Sequence, residues 1–132
     1  MPTVLDTHAA IWYLLDSKNL TPRVFTLIDG AAASGTPAYI SAVSLVEVVY
    51  LVERARIAAD AFDRFVSELG KDNPAFRVVP LDFHVASALR GIPRNVVPDM
   101  PDRIIAATAL HLGLPLVTRD RRLQAAGIQT IW

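Results

Sequence analysis

The stretch from Asp99 to Asp120, DMPDRIIAATALHLGLPLVTRD, leaves a chain of this kind few ways to fold. It opens with acids and a proline, runs on as an alanine-rich apolar segment, breaks at Gly113 and closes on a β-like LPLVT that delivers another acid. That order predicts helix, turn, strand. A helix from Asp102 to about Leu112 would carry the chain roughly 15 Å, at about 1.5 Å per residue. A strand from Pro115 to Arg119 would return it roughly 16 Å, at about 3.3 Å per residue. Asp102 and Asp120 are thereby expected at one edge of the fold. Two carboxylates held close resist joint ionisation unless a cation lies between them, so the arrangement raises the question of a metal.

The rest of the chain repeats the alternation. Thr3 to Leu5 predicts a strand, Asp6-Thr7-His8 a tight turn, and the apolar run beyond it a helix to about Asp16. Thr21-Pro22 opens a second helix to about Ala33, with proline suited to the first helical position. Ala38 to Ser41 predicts a strand, Val43 to Arg54 a helix, and Ala58 to Leu69 an amphipathic helix. Phe76 to Pro80 predicts a further strand, Asp82 to Leu89 a helix capped by Asp82, and Gly91 to Pro98 an irregular segment. Beyond Asp120, a short helix through Leu123 to Ala126 ends at Gly127, and Ile128 to Trp132 forms a last strand. Strands alternating with helices imply an α/β domain of three layers, α/β/α, with a mainly parallel central sheet. At 132 residues, with no repeat or linker, the chain reads as one domain over 1–132.

In such sheets ligands bind beyond the carboxyl ends of the strands. Asp6 and Asp120 each follow a strand directly, and Glu47 lies shortly after one. Two readings fit each acid. Asp6 suits an N-cap, although Ala9 stands where a capping-box glutamate would be. Glu47 completes an S-x-x-E capping box with Ser44, yet its helical neighbours are largely apolar, where a lone carboxylate is costly unless paired or coordinated. Asp99 is either the cap of the helix that carries Asp102 or a fifth member of the cluster. Caps do not need to converge, whereas Asp6, Glu47, Asp102 and Asp120 come from distant segments and are expected at one edge. With no cysteine in the chain, thiolate sites and disulfides are excluded. Hard oxygen ligands suit Mg²⁺ or Mn²⁺ rather than zinc, and such ions activate water and stabilise the leaving oxygen in phosphodiester hydrolysis.

The net charge is zero and the pI about 6.8, so the chain shows no overall basic excess of the kind that marks nucleic-acid binding. Arginine nonetheless outnumbers lysine eleven to two, and Arg119, Arg121 and Arg122 surround Asp120, a cluster that reads as a solvated turn at a strand end or as a bidentate phosphate contact. No apolar run approaches the roughly 18 residues of a membrane helix, and no leader pattern opens the chain, which reads as soluble, cytoplasmic and free of membrane contact.

The segments VLDTHAAIWYLLD, SAVSLVEVVYLVE, PDRIIAATALHLGLPLVTRD and IQTIW, in that order, resemble the PIN-domain ribonucleases, and within them the VapC toxins of toxin–antitoxin pairs. The resemblance covers nearly the whole chain. It implies that Asp6, Glu47, Asp102 and Asp120 form a catalytic, metal-binding site, that Asp99 lines it, and that the hydroxyls of Thr118 and Ser44 lie beside it. It further implies an endoribonuclease that uses Mg²⁺ or Mn²⁺, an RNA substrate, a homodimer, and a cognate VapB-like antitoxin whose tail blocks the site. One departure stands out. Close relatives often carry His-Arg-Asp-Pro-Phe-Asp-Arg where this chain has Val97-Pro98-Asp99-Met100-Pro101-Asp102-Arg103. The acids and the arginine remain, while the histidine and the phenylalanine do not.

His84 and His111, without acidic partners at helical spacing, read as structural, as does His8, for which substrate contact is the other reading. Trp12 and Trp132 are expected to pack in the core or an interface rather than stack on bases. A phosphatase of the dehalogenase type would need a second aspartate where His8 stands. A receiver domain would need a late lysine, and the lysines are Lys18 and Lys71. A housekeeping PIN nuclease and a non-catalytic binding module remain the alternatives to a toxin.

Overall fold

The computed structural model describes residues 2–132. Five strands, β1 (Val4–Leu5), β2 (Ala38–Ser41), β3 (Phe76–Val79), β4 (Leu116–Val117) and β5 (Thr130–Ile131), form one sheet in the order β3-β2-β1-β4-β5. Every pairing is parallel, so the expectation of a mainly parallel sheet becomes an entirely parallel one. The helices are α1 (Thr7–Leu14), α2 (Pro22–Ala33), α3 (Ala42–Glu53), α4 (Ala61–Leu69), α5 (Phe83–Ala88), α6 (Met100–Leu112) and α7 (Arg121–Gln124), with a 3-10 turn at Leu89–Gly91.

Successive strand residues point to opposite faces, and here both faces are buried. Leu5, Ile40, Phe76 and Val117 pack with α1, α2 and α4 through Ala9, Ile11, Val24, Ile28 and Phe65. Val4 and Leu116 pack on the other face with Val85, Ile104, Ile105, Ala107 and Leu123 of α5, α6 and α7. That is why the strands read as continuous apolar runs and not as alternating ones. The run of alanines in α6 has the same cause. Ala106, Ala107 and Ala109 are buried, so a helix with small side chains lies close against the sheet.

Several boundaries differ from the sequence reading. Helix α6 begins at Met100, two residues before Asp102, because Pro101 fits the first turn and Asp99 takes the N-cap position. Helix α4 begins at Ala61, not Ala58. The strands β4 and β5 are short, two residues each. Gly113 ends α6 in the left-handed conformation, at φ 66°, which lets the chain turn back into β4.

The chain runs from β1 outward to β2 and β3, then crosses to β4 on the other side of β1. The crevice beyond β1 and β4 is therefore the switch point of the sheet, where ligands of parallel α/β proteins bind. No helix among the described residues is long and apolar enough to cross a membrane.

Candidate active site

Asp6 follows β1 directly and is the N-cap of α1, its Oδ1 accepting from the Ala9 amide at 2.8 Å. Its other oxygen accepts from Thr118 Oγ1, on the residue after β4. Thr118 is fully buried, and its hydroxyl also accepts from the Asp120 amide at 3.0 Å. One hydroxyl thus joins the first acid of the chain to the last. Asp120 in turn caps α7, accepting from the Arg122 amide at 2.8 Å.

Glu47 enters from α3. Strand β2 passes into α3 without a loop, so the cap falls on Ser41, whose Oγ accepts from the Val43 amide at 3.1 Å. Ser44 lies within the first turn, and the capping-box reading of Ser44 and Glu47 is therefore wrong. Glu47 Oε1 accepts instead from Thr7 Oγ1 at 2.5 Å, and Ser44 Oγ lies 2.9 Å from that same hydroxyl. Thr7 has one proton to give, and the carboxylate takes it. Asp99 occupies the N-cap position of α6 but makes no capping hydrogen bond, so the cap reading accounts for its backbone and not for its side chain.

The structure brings all five acids together. Asp6, Glu47, Asp99, Asp102 and Asp120 line one cavity of about 430 Å³ with Thr7, His8, Trp12 and Arg119. The acids act on one another. Burial, and after it the charges of Asp99, Glu47, Asp120 and Asp6, push the Asp102 carboxyl up to about 7. Burial also raises Asp6 and Glu47, opposed by the hydrogen bonds from Thr118 and Ala9 to the first and from Thr7 to the second. Among the described residues, no three carboxylate or imidazole groups converge closely enough to hold an ion as their side chains stand. The hydrogen bonds give the reason: Asp6, Glu47 and Asp120 are each turned toward a hydroxyl or amide of their own surroundings. The donor set itself, five carboxylates without a thiolate, is one that a hard divalent cation fits.

A profile of the PIN domain matches residues 3–128. The chain belongs to the PIN-domain family. It is 32% identical over 127 residues to Ribonuclease VapC22 of Mycobacterium tuberculosis, covering 95% of this chain and 92% of that protein. Its fold matches FitAcB of Neisseria gonorrhoeae with a TM-score of 0.67 at 25% identity, over 100% of this chain and 97% of that one. It also matches VapBC2 of Rickettsia felis, solved bound to a promoter DNA fragment, with a TM-score of 0.74 at 13% identity, over 99% and 98% of the two chains.

Three further residues of this PIN-domain cavity lay outside the acid cluster that the sequence pointed to. Thr7 read only as a turn residue, and nothing in its local pattern signals that it reaches an acid forty positions away. Arg119 read as part of a solvated turn with phosphate contact as the other reading, and Trp12 as packing with base stacking as the other. Trp12 does pack, edge-on against Trp132 at 6.0 Å between ring centres, but it also lines the cavity, and the Arg119 guanidinium lies 4.5 Å from its ring centre. His8 is exposed at the cavity wall, 5.6 Å from Trp12. His84 and His111 lie away from the site, stacked parallel on each other at 5.6 Å.

Proposed function

We propose that this chain is a divalent-metal-dependent endoribonuclease of the VapC toxin type, with Asp6, Glu47, Asp102 and Asp120 as the metal-binding acids. The observation that carries the reading is the crowding of five carboxylates, from segments spread over the whole chain, into one cavity at the switch point of the sheet. Such crowding is electrostatically unfavourable by itself: burial first, and the neighbouring acids after it, push Asp102 up to about 7, and a bound cation would relieve the repulsion. The similarity to Ribonuclease VapC22 supports the substrate class.

When bound, Mg²⁺ or Mn²⁺ would supply a nucleophile from water and neutralise charge on the phosphate. The chain's own residues prepare that chemistry. Thr118 and Thr7 hold Asp6 Oδ2 and Glu47 Oε1 in place, as hydroxyl donors that add no positive charge to compete with the ion. Asp99 extends the acidic wall toward the N-terminus of α6, where the helix dipole favours carboxylates. The cavity mouth stays polar, so an extended phosphodiester can reach the acids.

The partner reading is part of the same proposal. A largely apolar trough formed by Val43, Val46, Tyr50, Leu51, Met100 and Pro101, with Arg54 also in its lining, shares Glu47 and Asp99 with the acid cavity. A VapB-like antitoxin tail with apolar residues and a cation would fit both at once. RNA as substrate, a homodimer and a cytoplasmic location complete the reading.

The test is cleavage of a mixed RNA substrate in Mn²⁺ or Mg²⁺, against chelator, beside Asp6→Asn and Asp120→Asn. Ion-dependent cleavage that falls at least a hundredfold in both variants, with unchanged circular dichroism, supports the assignment. Full activity in either variant removes that acid from the site. If the wild type binds no divalent ion, the hydrogen-bonded pose of the acids is their working state, and the chain is a binding module.

A further inference from the structure

We propose that Arg119, held over the Trp12 ring at the rim of the acid cavity, binds a phosphate of the RNA strand beside the one that is cut. The proposal rests on the nuclease reading and adds to it the residue that grips the substrate. Five acids line the cavity, and a polyanion entering it meets their repulsion at every phosphate. A metal ion would offset this at the scissile phosphate only. Arg119 is the one permanently cationic side chain among the lining residues.

Its surroundings suit that task. Arg119 is exposed and lies in a neighbourhood of carboxylates, yet it forms no ion pair. Among the described residues the one salt bridge is Lys71 with Glu68. Its side chain donates no hydrogen bond there either, so the planar fork of five N–H donors is available to an incoming ligand. What fixes it is the indole. The guanidinium carbon sits 4.5 Å from the ring centre of Trp12, within cation–π range. Trp12 is itself wedged, its ring centre 5.6 Å from that of His8 and 6.0 Å from that of Trp132, and Arg23 fastens the Trp132 carbonyl at 3.1 Å. A guanidinium stacked on an aromatic ring keeps its in-plane donors free for the two oxygens of a phosphate. Trp12 is accordingly a positioning residue, acting through Arg119.

The competing account makes Arg119 an internal counter-ion that eases repulsion among the acids. The two differ in what changes when the charge is removed. Loss of a phosphate contact raises KM for RNA and lowers its salt dependence. Loss of a counter-ion leaves KM unchanged and alters the Mn²⁺ concentration needed for half-maximal rate.

The experiment uses the full chain, a fluorescein-labelled single-stranded RNA of mixed sequence, and Mn²⁺, with initial rates measured across RNA and salt concentrations. Arg119→Ala is expected to raise KM at least tenfold with kcat changed less than threefold. The slope of log KM on log salt should fall by about 0.7, one phosphate contact on a single strand. Arg119→Lys should recover only part of the loss, because an ammonium lacks the fork. Trp12→Phe, which keeps an aromatic ring, should stay near wild type, and Trp12→Ala should raise KM without adding to the effect of Arg119→Ala. Cleavage by the wild type with KM and salt slope unchanged in Arg119→Ala overturns the proposal and leaves the nuclease reading standing. A shift in Mn²⁺ requirement alone also overturns it, in favour of the counter-ion. No binding of the labelled RNA by the wild type overturns both readings. Melting curves for each variant separate these outcomes from misfolding, and Arg119→Gln replaces the alanine variant if that one melts early.

Discussion

Thr118 Oγ1 donates to Asp6 Oδ2 across the seam between β4 and β1, joining residues 112 positions apart. Both groups are buried, at 0% and 8% exposure, so the bond supplies a partner to a carboxylate oxygen that has little access to water. Thr118→Val keeps the shape and removes the donor. It is expected to destabilise the fold by about 1–3 kcal/mol, the cost of leaving a buried polar group short of a partner. Thr118→Ser should restore most of it. Urea denaturation of the three proteins checks the order.

Asp102 gives the cavity a pH dependence whose sign is fixed. Its folded pKa, about 7, lies above its ordinary value of 3.8. Between those values the folded protein keeps a proton that the unfolded chain releases, so this group's contribution is present at low pH and lost as pH rises toward 7. Asp102→Asn should therefore raise the stability of the metal-free protein by about 1–2 kcal/mol at pH 8, a figure discounted for solvent screening, and change it little at pH 4. Thermal melts with chelator at the two pH values are the measurement. The same variant should lose cleavage.

Mn²⁺ binding should be linked to that proton. Below about pH 7 an ion must displace it from Asp102, so affinity is expected to rise between pH 6 and 8 and then level. Titration calorimetry in buffers of different ionisation enthalpy would count the protons released.

Arg103 holds the segment that precedes the acids. Its guanidinium donates to the Ile92 carbonyl at 3.0 Å and the Leu89 carbonyl at 3.2 Å, tying the irregular loop to the first turn of α6. Arg103→Ala is expected to cost about 2 kcal/mol, since hydrogen bonds from a charged donor are stronger than neutral ones. Amide exchange should quicken in residues 92–99 before it does in the sheet.

Local patterns carried most of this fold. The apolar runs bounded by Gly35, Gly113 and Gly127, and the caps at Asp6, Thr21 and Asp82, place nearly every element, because each end is set by its own few residues. The expected meeting of Asp102 with Asp120 followed from strand and helix lengths, and that of Asp6 and Glu47 with them from their places just after strands of a parallel sheet. What stayed illegible was contact between side chains from different elements. Glu47 has an acceptable capping partner in sequence, and only the loopless passage from β2 into α3 moves the cap to Ser41 and frees the carboxylate for Thr7. For Arg119 the sequence left a solvated turn and a phosphate contact both open, and its ring partner, Trp12, far away in the chain, was not visible there.

The order of the strands has a consequence for a nuclease while it is being made. Strand β1 lies between β2 and β4, so Asp6 waits beside an open edge until Leu116–Val117 docks against Val4–Leu5. Asp120 and the donor on Thr118 arrive with that last docking. A nascent chain still held by its ribosome, with this segment inside the exit tunnel, has four of the five acids but no assembled cavity. The RNA that surrounds the site of synthesis thus meets no completed acid cavity until that segment has emerged and docked, and any partner that covers the cavity has that interval in which to be present first.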